Sequence, residues 1–199
     1  MQWREIYTQI SDVIGGPFEP ATPRPISGGD INQAYLLQDR EQQFFVKLNG
    51  ATRLAMFEAE HQALLEMAAS NTIRVPTPLC CGVAGSHAFI AMEYIELGGG
   101  SASSQQQLGQ QLAMMHRITA ERYGWHRNNT IGSTQQCNEY CDSWLRFWCD
   151  QRIGLQLKML AQNGYTGRIQ QLGDQLLERL PELLAGHQPP ASMLHGDLW

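Results

Sequence analysis

The sequence predicts an α+β fold in two lobes, a small sheet-bearing lobe followed by a mainly helical one. Three observations carry this expectation. Aromatic and branched residues alternate across 34–49, apolar residues recur every three or four positions in three later segments, and the Gly/Ser-rich stretch ELGGGSASS at 96–104 interrupts both patterns. The stretch marks the lobe boundary, placing residues 1–97 in the first lobe and 98–199 in the second. With 43% hydrophobic residues in 199, the chain can bury a substantial core.

Each element has its own signal. MQWREIYTQISDVIGG carries Arg4, Glu5 and Asp12 without an apolar run, so it reads as an amphipathic helix and not as a signal peptide. AYLLQ (34–38) and QQFFVKLN (42–49) flank the polar DRE and form an antiparallel hairpin. ATRLAMFEAEHQALLEMAAS has helical periodicity, VPTPLCCGVAG is turn-rich, and SHAFIAMEYI is a further strand, so the first lobe is a small sheet carrying one helix. Beyond the connector, SSQQQLGQQLAMMHRIT begins at a serine cap, EYCDSWLRFWCDQRIGLQLKMLAQNG ends at a glycine, and RIQQLGDQLLERLPELLAG is amphipathic, with Pro181 expected to break or kink it.

Composition removes several function classes. Net charge is −5 and no Lys/Arg run exceeds a pair, which argues against a nucleic acid or an anionic membrane as partner. No segment approaches the roughly 20 apolar residues of a membrane span. The five cysteines, at 80, 81, 137, 141 and 149, suit free thiols in a reducing compartment, hence a cytoplasmic location. Cys137 and Cys141 offer one i,i+4 pair on an expected helix, too little for a zinc site, and no metal ligands are assigned.

The chemistry-bearing residues appear in a definite order. Gly28 and Gly29 in PISGGDINQAYLL lie between two strands, where bare backbone could approach a phosphate, although an ordinary hairpin turn would look the same. In FFVKLN, alternation puts Phe45 and Lys47 on one face and Phe44, Val46 and Leu48 on the other. If both faces are covered, Lys47 needs an anion; otherwise it can snorkel to water. The next helix supplies the anion. At about 100° per residue Glu60 falls inside the arc of Met56, Phe57, Leu64 and Met67, whereas Glu58 and Glu66 fall at or beyond its edge and read as solvent-facing. Glu60 could instead bend to water at the helix edge.

FIAMEYIELGGG runs from a strand into the connector, where main chain around Glu93 and Ile95 could hydrogen-bond the edge of a flat heterocycle. MLHGDLW places Asp197 on a loop after a short strand or turn, where its carboxylate could take a proton from a hydroxyl and His195 could hold the loop. Gly-rich turn, strand lysine, inward glutamate, hinge-like strand end and H-x-D within a helical half form the part list of kinase-like phosphoryl transfer.

On these residues, together with LGQQLAMMHR, YGWHRNNTIGSTQQCN, WLRFWCDQRIGLQL and LLAGHQPPASMLHGDLW, the chain resembles the fructosamine kinase (ketosamine-3-kinase) family of protein-kinase-like small-molecule kinases. NNTIGSTQQCN and RIGLQL are the more family-specific stretches. The resemblance implies a bilobal protein-kinase-like fold, with an antiparallel-sheet N-lobe and a partial helical C-lobe that ends inside the catalytic loop. It implies that Gly28, Gly29 and Asp30 cover the ATP phosphates, that Lys47 contacts them, and that Glu60 orients Lys47. Main chain at Met92, Glu93, Tyr94 and Ile95 would hold adenine, and Asp197 would be the general base toward a sugar hydroxyl. Members phosphorylate ketoamine adducts, small or protein-bound, and so reverse glycation. Some carry cysteine in the Gly-rich loop where Asp30 stands here, so no redox switch is expected there.

The resemblance also implies a Ser-Gly-Asn and a later acidic residue that hold Mg²⁺, and both would fall after Trp199. The 199-residue chain read as a whole product, truncated at its C-terminus, is accordingly expected to show negligible turnover. It is also expected to expose surfaces around Leu155, Leu176 and Leu180 that favour self-association. Two rivals stay open: a non-catalytic nucleotide-binding or interaction module, and a kinase with an aminoglycoside- or choline-type acceptor.

Overall fold

The computed structural model describes residues 2–27 and 31–196. Two compact units emerge, Met1–Met115 and His116–Trp199. The division by packing falls after the helix that follows the Gly/Ser-rich stretch, not at 97/98, because composition locates pliable backbone and does not decide which residues cluster.

The first unit is built on a five-stranded antiparallel sheet in the order β1-β2-β3-β5-β4. Its strands are β1 (Arg24–Ile26), β2 (Gln33–Gln38), β3 (Gln43–Gly50), β4 (Pro78–Ala84) and β5 (His87–Glu93). The β2–β3 hairpin forms as expected, its turn fixed by Asp39 Oδ1 accepting from the main-chain N–H groups of Glu41 and Gln42, both at 2.8 Å. β4 corrects the turn-rich reading of VPTPLCCGVAG. Pairing with β5 from Ala84 to Cys80 overrides the poor strand propensity of its Pro and Gly residues, with a register shift between Pro78 and Cys80.

Period-two alternation divides the sheet into two apolar faces, each covered by a helix. α1 (Gln2–Ile14) buries Ile6 and Ile10 against Leu37, Val46, Leu48, Phe89 and Ala91. Polar clamps fix its angle: Glu5 Oε2 accepts from Gly85 N at 2.7 Å, and Gln9 Nε2 donates to Val83 O at 3.0 Å. α2 (Leu54–Ala69) covers the other face, packing Phe57 and Leu64 on Ala88, Ile90 and Met92. A 3-10 turn at Ala51–Arg53 leads into it, and Asn71, with φ 52°, turns the chain out just past its end. The sheet thus carries two covering helices where one was expected. Phe57 is wholly buried, so Phe57→Ala is expected to cost about 3–5 kcal/mol in a denaturant titration.

α3 (Ala102–Met115) closes the first unit. Ser101 caps it reciprocally with Ser104: Ser101 Oγ accepts from Ser104 N at 3.1 Å, and Ser104 Oγ accepts from Ser101 N at 2.8 Å.

The second unit is less uniformly helical than its sequence implies. β6 (Thr119–Ala120) pairs antiparallel with β9 (Ala191–Ser192), and β7 (Asn129–Ile131) with β8 (Thr134–Gln136) makes a hairpin. The helix expected from Glu139 starts only at Ser143, whose hydroxyl caps α4 (Trp144–Trp148) by accepting from Arg146 N at 3.3 Å. A π turn, Cys149–Ile153, then joins α4 to α5 (Gly154–Gln162). A Cβ at Gly154 would lie 2.5 Å from Cys149 O, so only glycine admits that turn without displacement. α6 (Arg168–Leu183) runs two residues past Pro181, because a proline near the C-terminal end forfeits one hydrogen bond without ending the helix.

Of the surfaces expected to be exposed, Leu176 is 42% exposed but Leu180 only 7%, and Leu155 is half-buried. Leu180 lies on the inward side of an amphipathic helix that Gln170 ties to α5, its Nε2 donating to Leu157 O at 3.1 Å. Among the described residues, no helix is long and apolar enough to cross a membrane.

Candidate functional site

Lys47 and Glu60 meet as the alternation and the helical arc require. Lys47 Nζ donates to Glu60 Oε1 at 2.6 Å. β3 points Phe45 and Lys47 to the α2 face while Val46 and Leu48 enter the opposite core, and Glu60 lies one turn from Phe57 on the packed side of α2. The pair is not fully buried, however: the two side chains are 29% and 27% exposed. Glu58 and Glu66, expected to face solvent, are half-buried.

Register sets the pair in one row across the sheet. Ile26 pairs with Ala34, Ala34 with Lys47, and Lys47 with Ile90, a row across β1, β2, β3 and β5 on the α2 face. Gly28, Gly29 and Asp30 connect β1 to β2 and lie outside the described residues, as does Asp197. The strands expected on either side of the two glycines are both present. An ammonium has three donors, and among the described residues Glu60 is the carboxylate that engages one of them.

The end of β5 narrows the heterocycle reading. Met92 lies within the ladder, opposite Phe45, with its side chain in the α2 core. The Glu93 main-chain N–H donates to Thr77 O at 2.8 Å and is therefore committed within the fold. Its side chain is committed as well: Arg74 Nη2 donates to Oε1 at 2.5 Å, and Thr77 N donates to Oε2 at 3.2 Å. Glu93 thus anchors the strand end, and Tyr94 and Ile95 follow beyond the ladder. Burial pushes the Glu93 carboxyl up, but the hydrogen bonds from Arg74 and Thr77, together with the Arg74 charge, outweigh it and hold the group below the usual carboxylate value.

A carboxyl depressed in this way stabilises the fold above its unfolded value, about 4.3, and loses that contribution as pH falls through the lower folded value. Glu93→Gln is expected to flatten the acid-side loss of stability between about pH 5 and pH 3 and to cost less than about 1 kcal/mol at neutral pH, since the ion pair is partly solvated. Urea titrations at several pH values check both.

The five cysteines form no disulfide with one another. Burial, with the neighbouring Cys81, pushes the Cys80 thiol up to about 11, so it stays protonated and unreactive near neutrality. Cys137 and Cys141 do not share a helix: Cys137 follows β8, and Cys141 forms an isolated bridge with Tyr123, because this segment is pinned by other contacts before α4 begins. Among the described residues, no group of three or more His, Cys, Asp or Glu side chains could hold a metal ion.

Sequence reasoning missed the interior of the second unit. Arg152 Nη1 donates to Cys137 O at 2.7 Å and Nη2 to Asn138 Oδ1 at 2.8 Å, with the guanidinium 4.5 Å from the Phe147 ring centroid. Burial holds the Arg152 guanidinium below its ordinary value. Asn138, itself buried, donates through Nδ2 to Arg127 O at 3.1 Å and Asn129 Oδ1 at 2.8 Å, fixing the base of the β7–β8 hairpin. Gly124 passes so close that a Cβ would sit 2.7 Å from Asn138 O, and its φ of 120° excludes other residues for the same turn. The available signal was an arginine inside the apolar run WLRFWCDQRIGL, a cation that needs partners wherever that run packs.

A half-exposed lysine–glutamate pair on one face of a small antiparallel sheet, with a mixed helical unit following, places the chain among protein-kinase-like folds. Comparison with known proteins narrows this. Residues 2–199 match the family model of fructosamine kinase, and the chain belongs to that family. It is 40% identical over 198 residues to a "Probable ketoamine kinase" of Synechocystis sp., covering 99% of this chain and 66% of the relative. It is 39% identical over 177 residues to a chloroplastic protein-ribulosamine 3-kinase of rice, covering 87% of this chain and 52% of that one. A crystal structure of a protein assigned as a fructosamine-3-kinase from Haemophilus somnus superposes with a TM-score of 0.90 at 28% identity, over 100% of this chain and 66% of the other. The chain thus spans between about half and two thirds of the length of these relatives.

Proposed function

We propose that this chain carries the nucleotide-binding part of an ATP-dependent ketoamine kinase, which transfers the terminal phosphoryl group of ATP to a sugar hydroxyl of a fructosamine or ribulosamine. The observation that carries the reading is the 2.6 Å contact from Lys47 to Glu60, partly open to solvent and in the register row that joins Ile26, Ala34, Lys47 and Ile90. A solvated pair of this kind adds little to stability, so its placement is better explained by a ligand. Relatives named ketoamine kinase and protein-ribulosamine 3-kinase support the acceptor class.

In this reading ATP supplies the phosphoryl group. Glu60 holds the Lys47 ammonium in one rotamer, and its remaining N–H donors meet phosphate oxygens, which lowers the cost of charge developing during transfer. Main-chain N–H groups of the Gly28–Gly29 turn, beside Asp30, cap the phosphates. Main chain at Tyr94 and Ile95 meets the adenine edge, while Glu93 keeps the strand end in place through Arg74 and Thr77. Asp197 accepts the proton of the attacking hydroxyl, whose oxygen bonds to the γ-phosphorus as the bond from that phosphorus to the β,γ-bridging oxygen breaks and ADP leaves.

The test is phosphate transfer from ATP by the full-length protein to a panel of fructosamine, ribulosamine, aminoglycoside and choline acceptors. Transfer to the ketoamines alone is the expected result. Preference for another alcohol would move the protein to a different acceptor class, and nucleotide binding without any transfer would make it a binding module.

A further inference from the structure

The second unit contains one connected set of contacts that ends at the segment entering Asp197. Tyr123 Oη donates to Pro189 O at 2.5 Å. Its main chain bridges Cys141 in both directions, Tyr123 N to Cys141 O at 2.9 Å and Cys141 N to Tyr123 O at 2.8 Å. Its ring packs on Trp144 and Phe147, at centroid distances of 5.3 and 6.3 Å. Phe147 in turn lies under the Arg152 guanidinium, which is fixed through Cys137 and Asn138.

The segment 189–193 is held from the same stretch of chain at a second place. β6 pairs with β9, and Met193 N donates to Ile118 O at 2.8 Å. A ladder of two residues on each strand frays readily on its own. The tyrosine bond adds a fixed point immediately before it, and Pro189–Pro190 carries that point forward with little torsional freedom, since each ring locks its own φ. A general base must come within hydrogen-bond reach, about 2.6–3.2 Å between heavy atoms, of the hydroxyl it deprotonates, so the loop that bears one gains from an anchor of this kind.

We infer that Tyr123 is a positioning residue that anchors the segment from Pro189 to Met193, which leads in sequence to Asp197, an inference that rests on the reading of Asp197 as general base. In this role its hydroxyl acts through the Pro189 carbonyl. Arg152 and Phe147 serve the same end by fixing where the Tyr123 ring can lie.

Tyr123→Phe tests this, because it keeps the ring and its aromatic neighbours and deletes one hydrogen bond. In the full-length enzyme, amide exchange at Ala191–His195 is expected to accelerate about tenfold, the equivalent of one neutral hydrogen bond, with exchange in the β7–β8 hairpin and α6 unchanged. The kcat is expected to fall about tenfold while KM for ATP stays the same. Unchanged exchange at 191–195 overturns the inference, and so does faster exchange with undiminished kcat. Absence of transfer by the unaltered enzyme is a separate result, which overturns the functional reading and the positioning role with it.

Discussion

Replacing Lys47 by methionine is expected to lower phosphoryl transfer at least about 100-fold and to weaken ATP binding about tenfold or more, with the fold intact. The two effects separate because the pair is half-solvated. Removing the ammonium leaves Glu60 partly hydrated instead of stranded in the core, so the stability cost stays below about 1 kcal/mol. The methionine stem still covers the apolar surface between Phe45 and Ile90. Calorimetric titration with ATP and a thermal melt on the same samples measure both quantities. A large drop in melting temperature with unaltered affinity would assign the pair to folding and not to ligand binding. Glu60→Gln is the milder companion, since it leaves the ammonium present but frees its rotamers.

Asp197→Asn is expected to lower kcat by about 10²–10⁴-fold, the usual contribution of a general base, while leaving ATP affinity unchanged. The amide keeps the size and much of the hydrogen bonding of the carboxylate but cannot take a proton. The nucleotide contacts proposed here come from the first unit, so binding and chemistry divide between the two variants. Lys47→Met loses both, and Asp197→Asn loses only turnover. Equal losses of affinity in both would contradict that division.

The parts of this protein that could be read from its sequence are those governed by local periodicity. Alternation in FFVKLN and the arc of Met56, Glu60, Leu64 and Met67 are properties of a few consecutive residues, so the Lys47–Glu60 contact followed from them directly. How deeply the pair is buried did not follow, because exposure depends on what else reaches that face. β4 was hidden because Pro78 and Gly82 weaken its strand signal and its pairing with β5 is a tertiary gain. Glu93 shows a similar limit. Its position at the strand end was legible, but the commitment of its N–H to Thr77 and of its carboxylate to Arg74 depends on a segment sixteen or more residues earlier. The network of Tyr123, Asn138 and Arg152 was missed for the same reason, since its members lie on separate segments with no shared period.

The most direct measurement is site-resolved labelling of lysine by an acyl phosphate of ATP, which acylates an amine held at the phosphates of a bound nucleotide. Lys47 is expected to be the residue modified, and excess ATP to suppress that modification. Labelling of Lys47 that ATP leaves unaltered, or labelling confined to Lys158, would contradict a nucleotide site built on the pair.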